Sequence, residues 1–282
     1  MNVIENLSFD EERALYNSSN VTLENCRFEG EADGESALKE SSDVVARNCY
    51  FGLRYPFWHN TGVTIIDSEM SESCRAALWY SRYIELEDSK LYGIKALREC
   101  SEINIRGCDI KSSEFGWFTK SVLVRDSRAE GEYFMFCADI LNFIRVEFKG
   151  KYSFQYITGS VFENCIFDTK DAFWHAKNVT VKNSVIKGEY LAWYAENITF
   201  ENCKIIGTQP FCYCRGLKLI NCEMIDADLS FEKSDVEATL ASPVVSIKNP
   251  TSGYITLPYA EQIIIDDENA KCVITETSPK SK

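Results

Sequence analysis

The stretch NVTLENCRFEG at residues 20–30 returns as NITFENCKIIG at residues 197–207. Registered on the fifth position of VTLEN, the equivalent residues are Asn25, Asn48, Asp67, Asp88, Gly107, Asp126, Arg145, Asn164, Asn183, Asn202 and Asn221. The steps between them are 23, 19 and 21, then seven of 19. A period held that long, with no room for inserted loops, describes a solenoid, because each coil must superpose on its neighbours to bury an apolar face. Two weaker copies, VVSIKN ending at Asn249 and IIIDD ending at Asp267, extend the stack to roughly 12–13 coils.

Within a coil the apolar pattern has period two. Two places before the registered residue stand Leu23, Ile65, Leu86, Ile105, Val124, Phe143, Phe162, Val181, Phe200 and Leu219, as expected of a strand with one buried face. After the registered residue the inward positions shift by one. Cys or Ser comes one later, as at Cys26, Ser68, Cys108, Cys165 and Cys203, and Phe28, Phe51, Met70, Leu91 and Ile110 come three later. A parity switch requires a bend, and Asn, Asp and Gly tolerate the left-handed backbone that makes one. Arg145 does not fit that rule, so its coil is expected to turn differently.

These residues resemble the right-handed parallel β-helix of the pectate-lyase-like superfamily, in which stacked asparagines line one turn, and point to an uncharacterised bacterial family within it. The resemblance covers about residues 20–270. It implies an all-β, single-stranded solenoid, and as possible activities polysaccharide lyases and glycoside hydrolases. A left-handed hexapeptide helix and pentapeptide repeats lack their motifs here.

The ends are expected to differ from the middle. SFDEERALY at residues 8–16 carries a Ser8-x-x-Glu11 capping box, which predicts a short helix covering the first coil. One domain is expected, with residues 1–19 as cap, 20–233 as regular coils and 234–282 as irregular coils and a polar tail. A formal charge of -13 disfavours nucleic-acid or acidic-polymer partners. No apolar run reaches the roughly 20 residues of a membrane span, and the N-terminus lacks a signal-peptide pattern, so the chain reads as cytoplasmic. Twelve cysteines then read as reduced thiols, half of them filling the repeat's tight inward Cys/Ser slot. CYC at 212–214 lacks zinc-site spacing. No metal or cofactor is expected.

The remaining third of each coil is aromatic: YPFWHN, AALWYS, KALREC, EFGWFT, YFMFCA, YSFQYI, DAFWHA, YLAWYA and QPFCYC. Read as a strand, one alternating set holds Trp58, Trp79, Trp117, Trp174 and Trp193. The other holds Phe57, His59, Tyr80, Tyr156, Asp171, Phe173, His175, Tyr194, Phe211 and Tyr213. Polar tips concentrate in the second set, so that set is turned outward and the tryptophans inward. Tyr156, Phe173, His175, Tyr194, Tyr213, His59 and Tyr80 are then candidate ligand-binding residues, for a neutral oligosaccharide, another protein surface or a second copy of the chain. His175 oriented by Asp171, with Glu189 one coil on, is the candidate catalytic group. His59 and His175 lie six coils apart and cannot act together. The dispersed carboxylates and the missing loops favour binding over catalysis.

Overall fold

The structure is a computed structural model describing residues 2–30 and 35–279. It is an all-β parallel β-solenoid of about 14 turns with coils of roughly 19 residues. Contacts divide it into two units, Met1–Asn142 and Phe143–Lys282.

In the first unit each coil has three sides. The long side is a strand of up to six residues, as in Ser19–Glu24, Ser42–Arg47, Thr61–Ile66, Arg82–Glu87, Ser101–Arg106 and Lys120–Arg125. These pair in parallel and in strict register, Ile84 beside Val63 and Ile103. A second, shorter side follows the bend, for example Arg27–Phe28, Tyr50–Phe51, Glu69–Met70 and Lys90–Leu91. Both sides send apolar residues to one core, so Leu23, Ile65 and Leu86 face Phe28, Phe51 and Leu91, all essentially without exposure. Phe28 stacks on Phe51 at 5.0 Å and 9°, the offset arrangement that ring quadrupoles favour.

The bend is built as its composition predicts. Asn25, Asn48, Asp67, Asp88, Gly107 and Asp126 all have positive φ, between 47° and 66°. Asn48 donates to Asn25 at 2.6 Å, and Asn25 to Asn6 at 3.2 Å. One place later the Cys/Ser slot does more than save space. The Cys49 N–H donates to Ser68 Oγ at 3.0 Å, and that hydroxyl donates to the Ile66 carbonyl at 2.7 Å. Buried backbone groups that the bend removes from the ladder are thereby paired.

Asn6 also corrects the expected cap. Residues 2–9 form a coil: Asn2–Glu5 pairs with Ser19–Glu24, and Ser8–Phe9 with Arg27–Phe28. Glu11 accepts from the Asp10 N–H instead of closing a box with Ser8, and no helix occurs among the described residues. Phe9 stacking on Phe28 at 5.0 Å outweighs local helix propensity.

The second unit repeats the plan with larger core rings. Lys177–Lys182, Glu196–Glu201 and Leu217–Ile225 form its long side, Ile166–Lys170, Val185–Lys187 and Lys204–Ile206 its short one. Arg145 takes φ 53°, within the range of Asn164, Asn183, Asn202 and Asn221 at 49–55°. Its coil therefore turns like the others, contrary to the sequence reading, because register with a neighbour overrides a single residue's preference. Asn221 donates to Asn202 at 2.9 Å and Asn202 to Asn183 at 3.3 Å. The last strands pair likewise, Asp235–Leu240 with Ser252–Leu257 and that strand with Val273–Glu276.

Candidate functional site

The third side of each coil is not a strand. In the second unit Asp171, Phe173 and His175 have φ of 56°, 60° and 55°, and Tyr190, Ala192 and Tyr194 have 57°, 58° and 59°. Every other residue is thus left-handed, and backbone donors point alternately to the two neighbouring coils. Phe173 N–H reaches Ser153 O at 3.1 Å, and His175 N–H reaches Trp193 O at 2.9 Å. The period-two rule for side chains belongs to pleated strands and fails here. Two consecutive residues turn in, as Ala172 and Phe173 do with no exposure. The next two, Trp174 and His175, lie at the surface.

This corrects the expected faces. Phe57, Phe173 and Phe211 are completely buried, so Phe173 is a core residue and cannot touch a ligand. Phe173 stacks on Phe154 at 5.3 Å and meets Phe162 edge-on at 5.2 Å. The tryptophans, expected inside, are half-buried. Trp174 and Trp193 stack at 5.4 Å and 4°, their indole N–H groups donating to Tyr190 O and Gln209 O at 2.7 and 2.8 Å.

Tyr156, His175, Tyr194 and Tyr213 do form one ladder. Successive ring centroids are 4.7, 5.0 and 4.8 Å apart, with interplanar angles of 12°, 7° and 10°. Tyr156 and Tyr194 are 46% and 42% exposed. Each inner ring has a neighbour over both faces, so the ladder displays ring edges, hydroxyls and one imidazole. Burial and the nearby Glu232 raise the Tyr213 phenol, which therefore stays protonated and able to donate. Trp193 braces the ladder edge-on, at 5.7 Å from Tyr213.

The expected acid–base group does not assemble. Asp171 is 5% exposed, and burial first, then nearby Glu189, raises its carboxyl against the opposing pull of Lys170. It makes no side-chain hydrogen bond or ion pair with His175, which is instead clamped between two tyrosines. Glu189 is paired with Lys170 at 2.8 Å. Among the described residues no three His, Cys, Asp or Glu side chains gather to hold a metal ion.

In the first unit the equivalent rows are less regular. His59 meets Tyr80 edge-on at 5.0 Å and 89°, and the exposed residues that follow are Glu99 and Phe118. The half-buried row beside them interleaves two cations with three indole rings. Lys39 lies 4.2 Å from the Trp58 ring, Trp58 stacks on Trp79 at 5.5 Å, and Arg98 sits between Trp79 and Trp117 at 5.9 and 5.2 Å. Cations over indole faces stabilise partly buried stacks. The Arg98 charge faces the two rings that enclose it, with the Glu99 carboxylate 3.7 Å from its Nε.

Fold and site together define an all-β repeat protein with an exposed ladder of aromatic rings. Residues 2–276 match the family described as "Protein of unknown function (DUF3737)", and the chain belongs to that family. No curated protein matches it. Among solved structures it is similar to the A-module of the mannuronan C-5 epimerase AlgE4 from Azotobacter vinelandii, at 11% identity and a TM-score of 0.31 over 99% of this chain and 88% of that one. It is also similar to HetL, a pentapeptide repeat protein of Nostoc sp. strain PCC 7120, at 14% identity and a TM-score of 0.25 over 82% and 89%. The catalytic domain of a GH87 α-1,3-glucanase gives 9% identity and a TM-score of 0.21 over 98% and 63%. Likenesses at these values carry no argument about activity.

Proposed function

We propose that the protein is a non-catalytic interaction protein, and that the ladder Tyr156, His175, Tyr194 and Tyr213 docks another polypeptide. One observation carries this reading: the ring faces are paired with each other, so what remains for a partner is a rigid row of edges and hydrogen-bonding tips. Tyrosine-rich surfaces of that kind contribute contact area and hydroxyl donors at low entropic cost, and aromatic residues dominate the centres of protein interfaces. The enzymatic alternative, which the pectate-lyase-like resemblance implied, is disfavoured because Asp171 is buried and Glu189 is neutralised by Lys170.

A second reading has its own support. The ladder repeats at 4.7–5.0 Å, close to the length of one hexose unit, so a neutral oligosaccharide running along it would meet one polar tip per sugar. Crosslinking followed by mass spectrometry, beside a neutral glycan array, separates the two. Polypeptide docking is supported if crosslinks map to the ladder and disappear in Tyr194→Ala while the protein stays folded. Glycan binding lost in the same variant moves the assignment to saccharide, and a partner that binds equally well to Tyr194→Ala excludes the ladder.

A further inference from the structure

The long side carries a second left-handed row, at the second residue of most of its six-residue strands or the equivalent position. In the first unit it begins with Asn20, Asp43 and Gly62, at φ of 54°, 51° and 73°. The same row in the second unit reads Gly159, Asn178, Asn197 and Gly216, at 52–63°. These are the residue types that accept the conformation. On four consecutive coils of the first unit the row instead reads Tyr83, Glu102, Ser121 and Ile140, at 58°, 54°, 58° and 57°. The third side also carries bulky left-handed residues, but this column is otherwise Asn, Asp and Gly, and in it the bulky Tyr83 and the β-branched Ile140 are the least suited to the conformation.

The four residues line a groove of about 480 Å³ on the outer face of the first unit. Its two ends are apolar and strongly exposed, Tyr83 at 58% and Ile140 at 52%. Between them the groove offers acceptors. Glu102 and Ser121 have no side-chain partner. Asn104 donates its amide to Glu85 at 2.7 Å, which leaves its Oδ1 as a buried atom without a hydrogen bond. A carboxylate can only accept, so this bond fixes which way the amide faces. Two carboxylates and a tyrosine ring together select a cation with an apolar stem. From Tyr83 to Ile140 the groove spans three inter-coil steps, about 14 Å, the length of roughly four extended residues.

We propose that this groove is a binding site for an extended, lysine- or arginine-bearing polypeptide segment, its cationic head held between Glu102 and Glu85 and its stem against Tyr83. The site is separate from the aromatic ladder and does not depend on it. A capped tetralysine peptide is the probe, titrated by calorimetry against the full chain, with a tetraglutamate peptide and spermidine as controls. Tetralysine should bind with a dissociation constant on the order of micromolar to millimolar. Glu102→Gln should weaken it about tenfold with the melting temperature unchanged. Tyr83→Asn, which restores the residue type of the row, should raise the melting temperature by a few degrees and also abolish binding. No binding by the wild type, equal binding of tetraglutamate, or unchanged affinity in Glu102→Gln overturns the site. Spermidine binding as tightly as tetralysine overturns a polypeptide as occupant. A lower melting temperature in Tyr83→Asn overturns the strain argument.

Discussion

Phe173→Ala and Tyr194→Ala form a matched pair that tests the reassigned faces. Both residues are left-handed, at φ 60° and 59°, so alanine adds the same small backbone cost at each position and the comparison isolates burial. Phe173 has no exposure and lies among Phe154, Phe162, Phe167 and Phe200, with ring centroids 5.2–6.5 Å away. Removing a fully buried phenylalanine ring costs about 3–5 kcal/mol, through lost transfer free energy and the cavity left behind. Tyr194 is 42% exposed and loses its stacking on His175 and Tyr213 and an edge contact with Trp193, about 1–3 kcal/mol.

A solenoid need not unfold as one unit, so the assay should resolve coils as well as a global melt. Thermal melting of Phe173→Ala should fall by on the order of 10 °C, against a few degrees for Tyr194→Ala. Hydrogen exchange should quicken first in the strands Ile166–Lys170 and Lys177–Lys182. Equal losses in the two variants would show that the third side does not turn two residues in and two out.

The other predictions concern the rows. Asn202→Leu should cost about 1–2 kcal/mol by denaturant unfolding, because it breaks two exposed amide bonds and puts a branched residue at φ 52°; Asn202→Gly, which keeps the backbone, should cost less. Burial pushes the thiols of Cys49, Cys108 and Cys165 up to about 11 and those of Cys100, Cys212 and Cys214 up to about 12. Folded values above the unfolded one favour the neutral thiol, so stability present below pH 9 should be lost as pH rises toward 11–12, and these thiols should resist alkylation at pH 8 until denaturant is added. Melts across that range and thiol titration check both, and an alkaline limb that is flat in every buffer would refute the linkage. Asp171 is likewise raised, so its contribution is favourable only below the ordinary carboxylate range and declines as pH rises. Asp171→Asn should therefore melt higher than wild type at pH 7 and equally at pH 4, and a lower melt at pH 7 would mean that the ionised carboxylate has a favourable partner.

The coil repeat, the left-handed register row and the Cys/Ser slot were legible because stacking forces equivalent residues into one environment, so each column of the sequence reports one place in the fold. Asn25, Asn202 and Cys49 could be placed from their columns alone. The first coil was hidden: Asn6 stands 19 residues before Asn25, but the charged run DEERAL drew attention to helix signals. The third side was misread for a different reason. Alternating left-handed residues preserve the inter-coil hydrogen bonds while abolishing side-chain alternation, and hydropathy cannot separate Phe173, which is core, from Trp174, which is half-exposed. The groove was missed although its signal lies in the letters, since Tyr83, Glu102, Ser121 and Ile140 occupy a column otherwise filled by Asn, Asp and Gly.

That last signal bears on how a solenoid of this kind can acquire function. From Asp88 to Asn221 the period of 19 residues holds without insertion, so over that stretch a site is written by changing side chains within columns. Columns facing the core are constrained by packing. Outward columns are free, except where the backbone is left-handed and restricts the residue type. A run of unsuitable residues in such a column is more informative than an unusual residue elsewhere, because each member lowers stability and the loss must be offset by its use. The aromatic ladder does not carry that mark to the same degree: its tyrosines are also left-handed, yet each is stabilised by at least one stacked ring of the ladder. Tyr83 and Ile140 have no ring partner of that kind. The two faces thus predict opposite outcomes on repair: restoring Asn or Gly at Tyr83 stabilises the coil, whereas the same change at Tyr194 removes the stacking that holds its neighbours and destabilises it.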